Sequence, residues 1–93
     1  MIRTLILSVL FLLSVKTFAQ SPKRIITLNG ALTETVDALG YGKNIVAVDV
    51  TSFYPAYAAN LPKVSKSRTV SAEGVISFSP DLVLAPEGSI NKA

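Results

Sequence analysis

The stretch Arg24-Ile25-Ile26-Thr27-Leu28-Asn29-Gly30-Ala31-Leu32-Thr33-Glu34-Thr35-Val36-Asp37-Ala38-Leu39-Gly40 decides the fold. Arg24 to Leu28 is β-branched and apolar, and is bounded by Pro22 and by Asn29-Gly30, which predicts a buried strand. From Ala31 to Leu39 the period changes. Leu32, Val36 and Leu39 recur at helical spacing while Glu34 and Asp37 fall off that stripe, which predicts a helix. Gly40 and Gly42 mark its stop, because glycine takes a left-handed cap at little cost.

Downstream, Ile45-Val46-Ala47-Val48 is apolar throughout, as suits a strand covered on both faces of a parallel sheet. Asp49 to Lys66 is a long irregular stretch broken by Pro55 and Pro62, with room for one helical turn over Ala56 to Asn60. Ser71 is placed to cap a short helix, Ala72 to Phe78, that carries Glu73 in its first turn. Pro80-Asp81 turns the chain into a third strand, Leu82 to Ala85, which Pro86 ends. Gly88 to Ala93 reads as a polar tail. The order β-α-β-loop-α-β predicts an α/β fold with a Rossmann-like parallel sheet and right-handed crossovers.

Upstream, Met1 to Ala19 has the layout of a secretory signal peptide. Arg3 gives a positive start, Leu5 to Val15 is an apolar run, and Thr17-Phe18-Ala19 offers small residues for cleavage after Ala19. The run is shorter than the about 20 residues needed to cross a bilayer. Residues 20–93 are then the mature portion.

The chain has 93 residues, no cysteine and no histidine. Without cysteine there is no disulfide framework, thiolate metal site, cysteine nucleophile or lipid anchor. Without histidine the commonest general base and metal ligand are gone, and with them any Ser-His-Asp arrangement. Losing Arg3 and Lys16 with the leader lowers the net charge from +3 to +1, which predicts no nucleic-acid or anionic-membrane partner. There is no glycine-rich phosphate cradle. Glu34 and Asp37 read as a solvated helix face. These absences argue against an enzyme. A three-stranded parallel sheet of this size buries little on its own, so the simplest expectation is the opening segment of a larger protein.

One stretch carries chemistry: Asp49-Val50-Thr51-Ser52-Phe53-Tyr54-Pro55-Ala56-Tyr57, directly after the second strand. Ligands of open α/β sheets bind outside the carboxyl ends of strands. Tyrosine and phenylalanine on a loop offer flat apolar area to a planar aromatic ligand. Tyrosine is also the only residue type here suited to ligate a haem iron. Phenol ionises near pH ~10 unaided; ferric iron lowers that value, and a guanidinium such as that of Arg68 would help. Read from composition alone, the same aromatics are packing residues beneath a long loop.

The run Arg24 to Gly40 resembles the opening of the periplasmic binding proteins that serve iron-siderophore, cobalamin and haem ABC importers. Val48 to Pro55, Leu61-Pro62-Lys63-Val64 and Ser67 to Ala85 are similar to the haemin-binding, HmuT-type subfamily. The pieces Thr51-Ser52-Phe53-Tyr54-Pro55 and Arg68-Thr69-Val70-Ser71-Ala72-Glu73-Gly74 are its more specific motifs. The resemblance implies a monomeric, non-enzymatic haem carrier in the periplasm, with two α/β lobes joined by a long helix and haem held between them. Residues 20–93 would be part of the N-terminal lobe. It further implies Tyr54 as the iron ligand, Arg68 at the phenolate or a haem propionate, and Glu73 as a carboxylate that docks on the ABC permease. Tyr41 and Tyr57 do not match the ligand position and are left as packing residues, and Lys66 departs from the subfamily at the rim. The alternatives are a ferric siderophore or corrinoid on the same fold, or a truncated, non-functional secreted product.

Overall fold

The predicted apolar run forms β1 (Ile25–Thr27) and the change of period after it forms α1 (Gly30–Ala38). The computed structural model describes residues 20–91; the leader expected over 1–19 and residues 92–93 lie outside them. The side-chain oxygen of Asn29 accepts from the backbone N–H of Ala31 at 2.8 Å and of Leu32 at 3.3 Å. It thereby satisfies donors that no helical carbonyl can reach. Gly40, at φ 91°, turns the chain out of the helix through the left-handed region.

A 3-10 turn, Gly42–Asn44, leads into β2 (Ile45–Val48), and a second, Ala56–Asn60, follows Pro55 as the sequence predicts. Then come β3 (Val70–Ser71), α2 (Ala72–Ile76), β4 (Leu82–Leu84) and β5 (Ile90–Asn91). Ser71 caps α2 as expected, its hydroxyl accepting from the Gly74 N–H at 3.1 Å.

The main sheet has the order β2-β1-β4, with both pairings parallel. Placing β1 in the middle explains its composition: Ile25, Ile26 and Thr27 are all buried. Alternate residues serve alternate faces. Ile26 and Leu28 pack with Ala47, Val64, Val70 and Val75, on the side covered by α2. Ile25 packs with Val36, Ile45 and Val48, on the side covered by α1. The β1–β2 register shifts between Ile25 and Ile26, so Ile25 faces Ile45 but Ile26 faces Ala47. That slip places the neighbours Val46 and Ala47 on the same side.

At the amino end of the sheet two side chains clasp β1 to β4. The Asp81 carboxylate accepts the N–H groups of Lys23 at 2.9 Å and Arg24 at 3.0 Å. These bonds, that from Lys23 first, hold the Asp81 carboxyl below the usual carboxylate range. The Arg24 guanidinium donates to the carbonyls of Phe78 and Ser79, the closest contact being 2.7 Å.

Three expectations need correction. Leu39, read as part of the buried stripe, is 70% exposed; α1 instead buries Thr33 and Val36. Leu39 is the C-cap, where the helix is already leaving the sheet. The stretch read as a polar tail contains β5, whose Ile90 pairs with Val70 in a separate two-stranded parallel sheet. Two residues are too few to show a strand period, so neither β3 nor β5 is visible in the sequence. Asp37, read as solvated, is half-buried and engaged by Tyr57. For the core, Ile26→Ala in the full-length protein is expected to lower unfolding free energy by about 2–5 kcal/mol. Leu39→Ala is expected to stay within about 0.5 kcal/mol. Denaturant unfolding measures both.

Candidate functional site

The carboxyl ends of β1 and β2 open onto the start of α1 and the loop that begins at Asp49. That loop is not slack. Asp49 is only 7% exposed, and Ser52, Thr33 and Thr27 are fully buried. Asp49 accepts the Ser52 hydroxyl at 2.6 Å through Oδ1 and the Thr51 hydroxyl at 2.5 Å through Oδ2. Ser52 lies 2.7 Å from the Thr33 hydroxyl, which in turn lies 2.7 Å from that of Thr27. Thr51 Oγ1 also receives the Gly30 N–H at 3.1 Å. Only glycine allows this approach, since a Cβ at position 30 would stand 2.9 Å from the Thr51 carbonyl oxygen. Among the described residues no buried side-chain polar atom lacks a partner. The linkage therefore joins β1, α1 and the loop after β2 through satisfied bonds.

The two residues after Ser52 point the other way: Phe53 is 69% and Tyr54 68% exposed. Among the described residues no hydrogen bond involves the Tyr54 hydroxyl. Tyr57, expected as a packing residue, is instead half-exposed and donates to Asp37 at 2.5 Å. Desolvation, followed by this bond and the carboxylate charge, pushes its phenol up to about 12. Tyr41 is similarly half-exposed, 3.3 Å from the Ser21 hydroxyl. The structure thus separates the tyrosines: Tyr57 is committed as a donor, whereas Tyr54 is presented outward with an unengaged phenol.

Arg68 lines a cavity of about 320 Å³ with Leu28, Asn29, Asp49, Thr51, Val70 and Ser89, at the strand ends. Tyr54 lies outside that lining. The structure therefore brings Arg68 to the Asp49 loop base but not into one cavity with Tyr54. A larger cavity of about 410 Å³ sits at the far end of α1, beside Asp37, Lys43 and Tyr57. It is the weaker candidate, because Tyr57 and Asp37 already satisfy each other there. Glu73 is exposed in the first turn of α2, on a different element from Tyr54 and Arg68. Among the described residues no group of three or more His, Cys, Asp or Glu side chains could hold a metal ion. Sequence reasoning singled out none of Thr27, Thr33 and Ser52 as functional; a hydroxyl residue inside the strand expected to be buried, Thr27, was the one available signal.

The periplasmic binding protein family profile matches residues 25–91. Over 83 residues the chain is 40% identical to the vitamin B12-binding protein of Vibrio vulnificus, a match covering 88% of this chain and 30% of that protein. It superposes on the periplasmic heme-binding protein RhuT of Roseiflexus sp. RS-1, in apo form, with a TM-score of 0.64 and 41% identity. That superposition covers 72% of this chain and 26% of RhuT. A periplasmic heme-binding protein of Pseudomonas aeruginosa gives a TM-score of 0.63 and 35% identity, over 74% of this chain and 26% of that one. The chain thus spans under a third of the length of these relatives.

Ultraviolet titration tests the division of labour among the tyrosines, with Tyr57→Phe used to assign the Tyr57 signal. Tyr57 is expected to ionise at about pH 12, and Asp37→Asn to bring it down towards 10.0. Because the folded value is raised, the associated stabilisation is complete below pH 10.0 and lost as pH rises through about 12. A Tyr57 signal unmoved by Asp37→Asn would overturn this account.

Proposed function

This chain belongs to the periplasmic binding protein family, and from that premise we propose that it forms part of the N-terminal lobe of a substrate-binding component that carries ferric haem to an ABC permease. One observation carries the choice of cargo. The loop at the strand ends presents Tyr54, whose phenol has no hydrogen bond among the described residues, beside the flat ring of Phe53, and both are largely exposed. With no histidine or cysteine in the chain, these residues suit a metal that arrives already chelated by a planar ring and needs one axial oxygen. Ferric iron itself favours the phenolate. Arg68, at the base of the same loop, supplies a cation for that phenolate or for a propionate. The two heme-binding neighbours support this reading.

The vitamin B12-binding relative favours a second one. On that reading the loop holds a corrinoid, Phe53 and Tyr54 only stack against it, and no tyrosine touches metal. In either case the chain binds and delivers rather than catalyses. Residues 1–19 would route it out of the cytoplasm as a cleaved leader, and the carrier would act as a monomer.

Titration of the full-length protein with ferric haem and with cyanocobalamin separates the two cargoes. Tyr54→Phe is expected to abolish the tyrosinate-to-iron charge-transfer band and to weaken haem binding by at least about tenfold. Arg68→Ala is expected to weaken binding while keeping the band. An unchanged spectrum and affinity in Tyr54→Phe, or preferential binding of cyanocobalamin, would overturn the haem reading.

Glu73 is the proposed docking carboxylate. An exposed acidic group on a lobe surface steers and registers a basic partner. Glu73→Arg is expected to leave haem affinity unchanged and to slow haem transfer into vesicles carrying the cognate permease. Equal transfer rates would exclude the role.

A further inference from the structure

We infer that Thr33, Ser52 and Asp49 are positioning residues for cargo binding, a polarised chain of hydrogen bonds that fixes the backbone from which Tyr54 projects. The inference rests on the reading of Tyr54 as the iron ligand and extends it inward, to the buried groups behind the loop that carries it.

Each hydroxyl has one proton, and this sets the direction of the chain. Ser52 gives its proton to Asp49 Oδ1 at 2.6 Å. Its 2.7 Å contact with Thr33 is therefore a bond received, with Thr33 as donor. The 3.2 Å approach of Thr33 to the Asn29 carbonyl is the longer, minor arm of that same proton. Thr27, 2.7 Å from Thr33, must then donate to it. On the other flank Thr51 gives its proton to Asp49 Oδ2 and receives the Gly30 N–H. The Ser52 N–H also reaches back to the Asp49 carbonyl, at 3.4 Å.

Asp49 is thus the common acceptor for a serine and a threonine of the loop, and the serine is tied through Thr33 to α1 and through Thr27 to β1. Every side chain in this line, Thr27, Thr33, Ser52 and Asp49, is buried, whereas Phe53 and Tyr54 are the first residues to leave it. A loop carrying a metal ligand must hold it in place before the metal arrives, since supporting contacts set ligand orientation. Only Phe53 separates the last buried anchor, Ser52, from the phenol-bearing Tyr54, so little freedom remains.

The test uses the full-length protein, with haemin as probe and Thr33→Val, which keeps side-chain shape while removing the hydroxyl. The expected result is about a tenfold loss of haemin affinity and a weakened tyrosinate-to-iron band at saturation. Without haemin, the Ser52 amide should exchange about tenfold faster with solvent deuterium. Thr33→Ser should restore all three readings. If Thr33→Val does not fold, Ser52→Ala cuts the same chain at the loop, with the same outcome expected for affinity and band. A folded variant with a lower Tm but unaltered affinity, band and exchange would overturn the inference, because the bonds would then be ordinary core contacts. Failure of the Tyr54 reading is distinct. It would appear as no tyrosinate band in the unmutated protein, while Ser52 exchange in the haemin-free variant still decides whether the chain holds the loop.

Discussion

The arrangement depends on one buried carboxylate having enough donors. Asp49 directly follows β2, an outer strand of the main sheet, at a point where backbone pairing gives way to loop, and a carboxylate left there without partners would be costly. The chain meets that cost locally, with Thr51 and Ser52 directly after it, and non-locally, with Thr33 bonding Ser52 from α1. The same bonds do two jobs. They satisfy the carboxylate, and they give the loop a fixed origin at the edge of the sheet, so that aromatic residues project into solvent instead of collapsing onto the core. The close approach of Gly30 to Thr51 completes the junction from the helix side.

Much of the fold was legible because its elements are local. The β-branched run, the helical spacing after Asn29 and the Ser71 cap each announce themselves within a few residues, and the strands and helices formed within two residues of the predicted bounds. What stayed hidden was set by partners far along the chain. Val70 and Ile90 form a ladder only because the chain returns there. Arg24 looks like an ordinary flank to a strand until Phe78 and Ser79 supply carbonyls for its guanidinium. Leu39 shows the opposite failure: its spacing is right, but a helix stripe is buried only as far as the sheet beneath it extends.

The site was legible in residue type and less so in arrangement. Tyr54, Arg68 and Glu73 stood out as the phenol, the guanidinium and the lone acidic residue of the second helix. Nothing in the sequence said that Arg68 shares a cavity with Asp49 and Thr51 and not with Tyr54. Nor did it say that Tyr57 would be taken up by Asp37. Thr27 and Thr33 were read only as members of a strand and a helix, because small hydroxyl residues are tolerated in either. Their shared orientation appears once β1 and α1 are packed face to face.

The clasp between Asp81 and the N–H groups of Lys23 and Arg24 joins positions 58 and 57 residues apart. Because the middle strand of the sheet is also the first to be synthesised, its two neighbours arrive at very different times. β2 comes soon, while β4 and its carboxylate come only after the whole aromatic loop and the second helix have been made. Until then Ile25 and Ile26 have one bare flank. Closing this sheet takes a late, long-range contact, the slow kind of topology, and the first-made of its three strands is the last to be fully paired.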